Sequence, residues 1–220
     1  MANQDHRSEI VFPQTLFVTG TDTEIGKTVL SATLCCGLQA EYWKPVQSGL
    51  EPRTDSDAVA EWAGMDADRI HSETYRLNTP MSPHASAEID GVEIDLNAFS
   101  LPECRRDHLI VEGAGGILVP LNREEMILDL MVRLNLPVLL VARSTLGTLN
   151  HTLMSLQVMR SRGLSIWGVV LNGPYHPSNE QAILHYGKPR HLFRSLPLET
   201  INADTLNDHF NQTFRSDVTS

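Results

Sequence analysis

The chain has 220 residues, 41% of them hydrophobic, with a formal net charge of −10 at pH 7. That length suits one domain with a large core. The acidic balance argues against a nucleic-acid partner, which needs a basic face to neutralise phosphates, but it leaves room for a small anionic ligand held by a few amides and one lysine.

In chain order, the first thirteen residues lack the continuous apolar stretch of a signal peptide, and no later run approaches the ~20 apolar residues of a membrane span. A cytoplasmic protein with no membrane partner is expected. TLFVTG (15–20) reads as a buried strand, and 27–40 as a helix. Within that helix Cys35 and Cys36 read as buried thiols. With Cys104 they make an odd set without zinc spacing, which suits a reducing cytosol. EYWKPV (41–46) is a weaker strand, 55–63 a helix, and the proline-interrupted stretch 65–105 irregular. HLIVEGAG (108–115) is a strand, 125–134 a helix, PVLLVAR (137–143) a strand and 148–162 a helix. IWGVVLN (166–172) is a strand and HLFRSLP (191–197) a weaker one, before a helix and frayed tail after Asn202. Short apolar strands alternating with helices predict an α/β fold. The sheet is expected to be doubly wound and mostly parallel, with helices on both faces. Functional residues should then gather beyond the carboxyl ends of the strands.

The connection after the first strand is an altered phosphate-binding loop. Gly20 is followed by five residues and then Gly26-Lys27-Thr28, where the usual pattern has four. Backbone N–H groups at a helix start make an anion nest, Lys27 adds a point charge, and the Thr28 hydroxyl is a Mg²⁺ ligand of the expected kind. Lys44 is one of only three lysines and opens KPVQSG (44–49). Beside a γ-phosphate it suits the stabilisation of developing charge; alone it reads as a surface residue. Asp55 and Asp57 stand at a helix start, where one is expected to cap the helix. Asp57 is the candidate for metal. Glu112 ends a strand and is followed by Gly113-Ala114-Gly115-Gly116, a carboxylate with backbone able to approach phosphates closely. The Asn172 amide both donates and accepts, which suits an adenine edge, although Asn172-Gly173-Pro174 is also strong turn chemistry.

Together these segments resemble the dethiobiotin synthetase family of P-loop enzymes. GTDTEIGKT (20–28), KPVQSG (44–49), SDA (56–58), SPH (82–84), VEGAGG (111–116), GTLNH (147–151) and Asn172 occur in family order over most of the chain. The resemblance implies ATP-dependent carboxylation of 7,8-diaminononanoate with CO₂ or bicarbonate and closure of a ureido ring. ATP is the co-substrate and Mg²⁺ the metal. Glu24, Ile25, Gly26, Lys27 and Thr28 would bind phosphates, joined by Gly113, Ala114 and Gly115. Thr28, Asp57 and Glu112 would hold the metal. Thr23, Lys44 and Ser48 would bind the substrate carbamate, with Lys44, Lys27 and Thr23 as the catalytic set. Asn172, Gly173, Leu196, Pro197 and Leu198 would form the adenine side. Gly147, Thr148, Leu149 and Asn150 would meet the substrate carboxylate from the partner subunit of a homodimer. Residues 1–13 would be an N-terminal extension of a single domain (1–220), and 203–220 its C-terminal helix and tail.

Two other readings compete. Amide-forming relatives that use glutamine carry a further domain with a cysteine nucleophile, for which 220 residues leave no room. A partitioning-type ATPase switch would carry a lysine near the loop start and a basic or amphipathic surface. The loop has no lysine before Gly26 and the chain is acidic.

Overall fold

The computed structural model describes residues 10–214 and residue 218. Most of the expected N-terminal extension and the last residues of the tail lie outside that range. The elements run β1 (Thr15–Gly20), α1 (Lys27–Gly37), β2 (Glu41–Trp43), β3 (Val46–Ser48), α2 (Asp55–Ala63), β4 (Ile70–His71), β5 (Tyr75–Leu77) and α3 (Pro83–Asp90). They continue with β6 (Leu109–Gly116), α4 (Ile127–Leu134), β7 (Val138–Arg143), α5 (Thr148–Ser161), β8 (Ile166–Asn172), α6 (Pro177–Ala182), β9 (Leu192–Ser195) and α7 (Ala203–Phe214).

Seven strands form one sheet in the order β4-β2-β6-β1-β7-β8-β9, and every pairing is parallel. Alternation along the strands sorts side chains into two cores. Leu16, Val18, Ile110, Leu139 and Val141 pack on one face with α1, α2 and α7, through residues such as Leu34, Val59 and Leu206. Phe17, Leu109, Val111, Val138 and Leu140 pack on the other with α4 and α5, through Leu130, Met131 and Leu156. This is the doubly wound α/β arrangement expected. From β1 the chain winds outward to one edge through β2 and β4, then returns through β6 and crosses to β7 on the far side. The end of β1 is therefore where the winding reverses, the position at which such sheets bind ligands.

EYWKPV divides. β2 belongs to the main sheet, while β3 pairs with β5 in a separate two-stranded sheet. Pro45 lies between them and has no N–H for a ladder. The break leaves Lys44 at the carboxyl end of β2. The stretch 65–105 is not irregular throughout: it contains β4, β5 and α3. α3 begins on Pro83 and stops at Gly91, whose φ is 65°. Proline at a helix start and glycine past its end are helix punctuation, and from sequence Pro83 reads as an interruption. α6, beginning on Pro177, is likewise absent from the sequence reading. α1 is shorter than the expected 27–40 and ends at Gly37.

Candidate active site

The phosphate loop is held open by side chains that the fold supplies around it. Asp22 accepts from the Thr23 amide at 2.8 Å and from Arg143 Nη2, at the end of β7, at 2.6 Å. The carbonyl of Asp22 takes Lys27 Nζ at 2.8 Å. Gly26, the residue before α1, has φ 93° and no side-chain cap. A Cβ built there would stand 2.3 Å from Asn172 Nδ2. Gly26→Ala should therefore combine about 1–2 kcal/mol of left-handed strain with displacement of Asn172. The expected result is lost ATP binding with a lowered melting temperature, checked by titration and thermal unfolding; unchanged binding would mean that the loop tolerates the Cβ.

Four elements, α1, β2, α2 and β6, bring a charged cluster to the mouth of this loop. Thr28 Oγ1 on α1 lies 3.0 Å from Glu112 Oε1 and 3.2 Å from Asp55 Oδ1. Lys44 Nζ lies 2.6 Å from Asp55 Oδ2 and 3.1 Å from Glu112 Oε1. Tyr42, fully buried on β2, donates to Glu112 Oε2 at 3.0 Å. Burial pushes the Lys44 ammonium down, but Glu112 and Asp55 outweigh it and raise its pKa above the ordinary lysine value. Burial also pushes the Asp55 carboxyl up, and Lys44, with help from Thr28 and Lys27, holds it below the ordinary carboxylate value. By linkage, the stability from Lys44 is lost only as pH rises beyond the lysine range, and that from Asp55 only as pH falls through the carboxylate range. The pair is charged across neutral pH. Lys27 differs: burial is the main reason its pKa is lowered, and Lys44 adds to the effect. An arriving polyphosphate would relieve both burdens.

Asp57, expected among the metal ligands, does not join the cluster. Its Oδ2 accepts from the Thr54 amide at 3.0 Å, and the Thr54 hydroxyl accepts from the Asp57 amide at 3.1 Å, closing a capping box. The first helical residue, Asp55, faces Thr28 instead, and its amide is held by Gln47 Oε1 at 3.1 Å. A hydroxyl and two carboxylates form an oxygen donor set that suits Mg²⁺, which takes its remaining ligands from phosphates and water. Among the described residues no three His, Cys, Asp or Glu side chains gather as a metal cage.

The cluster lines a cavity of about 700 Å³ with Thr23, Glu24, Gly26, Lys27, Ser48, Ala114 and Gly115. Ser48 Oγ is buried without a partner. Pro80, Met81, Ser82 and Pro83 form the wall opposite the loop, a contribution that a reading of 65–105 as irregular could not anticipate. Ile25 is buried beneath the loop, and Gly113 packs against Phe17, where an added Cβ would approach the ring to 3.0 Å.

The expected adenine side is only partly assembled. Gly173 and Leu196 line a second cavity of about 250 Å³ with Ser144, Tyr175, Glu180, Arg194 and His209. Asn172, Pro197 and Leu198 do not line it. The Asn172 amide ties the loop to β9: Nδ2 donates to the Ile25 carbonyl at 2.9 Å, and Oδ1 accepts from Ser195 Oγ at 3.0 Å. Gly147, Thr148, Leu149 and Asn150 begin α5 and line neither cavity. Thr148 is buried, Asn150 exposed, and the preceding Leu146 is 97% exposed.

A family model described as an AAA domain matches residues 14–202. The chain is 48% identical over 206 residues to an ATP-dependent dethiobiotin synthetase BioD of Rhodopseudomonas palustris (strain BisB18), covering 93% of this chain and 98% of that one. The chain belongs to the dethiobiotin synthetase family. A Brucella ovis synthetase of the same name is 48% identical over 202 residues, 92% of this chain and 95% of its own. A ParA family ATPase from Chlorobium tepidum TLS covers 92% of each chain at 13% identity with a TM-score of 0.49, a likeness too distant to bear on function. Family membership covers the loop, the Lys44 segment and the Glu112 turn together. Among the described residues no helix is long and apolar enough to cross a membrane.

Proposed function

We propose that this protein is an ATP-dependent dethiobiotin synthetase, which joins CO₂ to 7,8-diaminononanoate and closes the ureido ring with release of ADP and phosphate. Beside the family relationship, one observation carries the reading. A buried lysine, Lys44, stands between Asp55 and Glu112 at the mouth of the phosphate loop, lining a cavity of about 700 Å³.

The chemistry brings two anions together. One substrate amine adds to CO₂ to give a carbamate, losing a proton. A carbamate oxygen attacks the γ-phosphorus of ATP and ADP leaves. The second amine then attacks the carbonyl carbon of the mixed anhydride and expels phosphate. Lys27 leaves the Asp22 carbonyl for the phosphates, and loop amides near Gly26 and Lys27 receive their oxygens. Mg²⁺, held by Thr28, Asp55 and Glu112, would neutralise phosphate charge. Lys44 lines the cavity beside the phosphate loop, and its charge suits screening the repulsion of carbamate and γ-phosphate as charge moves between them. Thr23 and the unpartnered Ser48 hydroxyl line the same cavity and suit the carbamate end. No side chain becomes covalent. ADP release that needs both diaminononanoate and bicarbonate, equimolar with dethiobiotin, supports this reading. ADP release unaffected by either sinks it and favours a simple ATPase switch.

The start of α5 is proposed to reach the substrate carboxylate from the partner of a homodimer. Exposed Leu146 and Asn150 stand beside N–H groups at a helix start, which favour an anion. Mixing inactive Lys44→Gln with inactive Asn150→Glu tests the shared site. Random exchange should restore roughly a quarter of wild-type activity, because each mixed two-fold dimer keeps one intact site. Proven exchange without recovered activity would place α5 outside the site.

A further inference from the structure

His209 is a buried histidine that the reaction does not use, and it ends a chain of side chains leading to the phosphate loop. It lies on α7 and is 4% exposed. Its Nδ1 is 3.0 Å from Thr33 Oγ1 of α1, and its Nε2 is 3.1 Å from Ser195 Oγ at the end of β9. Ser195 Oγ reaches Asn172 Oδ1 at 3.0 Å, and Asn172 Nδ2 reaches the Ile25 carbonyl at 2.9 Å. The amide also presses on the next residue of the loop, since a Cβ on Gly26 would stand 2.3 Å from it. Burial pulls the His209 ring below the ordinary histidine pKa, so at neutral pH it acts as an uncharged hydrogen-bonding group.

Each member of this chain uses its polar atoms on the next. Ser195 and His209 are buried, so removing either leaves a buried polar atom without this bond. Linked buried bonds of this kind act as a unit. The last bond falls on the turn that must present amides to phosphate.

We infer that His209 is a positioning residue for nucleotide: through Ser195 and Asn172 it holds the Ile25–Gly26 turn in the shape that receives phosphates. The inference rests on the ATP reading above. His209 also lines the second cavity, so a direct effect on the base must be separated from an effect on the loop. Inorganic tripolyphosphate does this, because it has no base.

The experiment measures dissociation constants for ATP and for tripolyphosphate by calorimetry, with melting temperatures, in wild type, His209→Ala, Ser195→Ala and the double variant. Ser195→Ala is the smaller change and serves if His209→Ala does not fold. Either single variant should weaken both ligands about fivefold, the effect of one ordinary hydrogen bond. The double variant should be no weaker than the worse single, since the two residues act in series. Weakening of ATP alone would reduce His209 to a cavity wall. Unchanged constants with a lowered melting temperature would make the chain purely structural, and additive losses would break it into independent contacts. A wild-type protein that bound neither ligand would overturn the nucleotide reading and this inference with it.

Discussion

Lys44→Met should lower kcat by about 10²–10³-fold, the usual cost of removing one group aimed at developing charge. kcat/KM should fall in the same proportion, because the lost interaction belongs to the transition state. ATP affinity should change by only a fewfold, since Lys27 and the loop amides remain. The variant should also lose stability. Lys44 and Glu112 have side-chain exposures of 5% and 0%, and the glutamate would be left buried opposite Asp55. Stranding one member of a buried ion pair costs about 3–5 kcal/mol, reduced here because Asp55 is partly solvated. Steady-state kinetics and thermal melts check both parts. A kcat within about fivefold of wild type, in a protein shown to lack the charge, would remove Lys44 from the chemistry.

Asp55→Asn and Asp57→Asn should part company although the residues are two apart. Asp55 faces Thr28 at 3.2 Å and Lys44 at 2.6 Å, so its neutral replacement should cost about 10²-fold in turnover and raise the Mg²⁺ needed for half-maximal rate at least about tenfold. Asp57 closes the capping box with Thr54, so its replacement should cost about 1 kcal/mol of stability and less than about twofold in kcat. Metal titrations beside melting curves separate the two. The opposite pattern would return Asp57 to the metal and make Asp55 the helix residue.

The main strands were legible because each is a short apolar run ended by a polar or turn residue, and the loop was legible because Gly26-Lys27-Thr28 follows a strand. The two carboxylates before α2 were harder. Thr54 and Asp57 carry capping-box spacing, but either carboxylate could serve as the cap by sequence, and the metal role was read onto Asp57. The bonds of Asn172 were out of reach for another reason. Its amide suits a base edge, and only the fold brings it against Ile25, 147 residues earlier in the chain. Tyr42 and His209 carry no local signal, because a buried tyrosine or histidine looks the same in sequence whatever it touches. α3 was lost because Pro83 opens a helix as readily as it breaks one.

The fate of an oxygen atom tests the central claim most directly. If a carbamate oxygen attacks the γ-phosphorus, one oxygen derived from CO₂ must leave on the released phosphate. A single turnover with ¹⁸O-labelled bicarbonate, ATP and diaminononanoate, quenched before the label exchanges with water, should give phosphate carrying one ¹⁸O alongside dethiobiotin. Phosphate formed at the same rate without label would mean that water, not the carbamate, attacks ATP, and that the protein hydrolyses nucleotide rather than closing a ring.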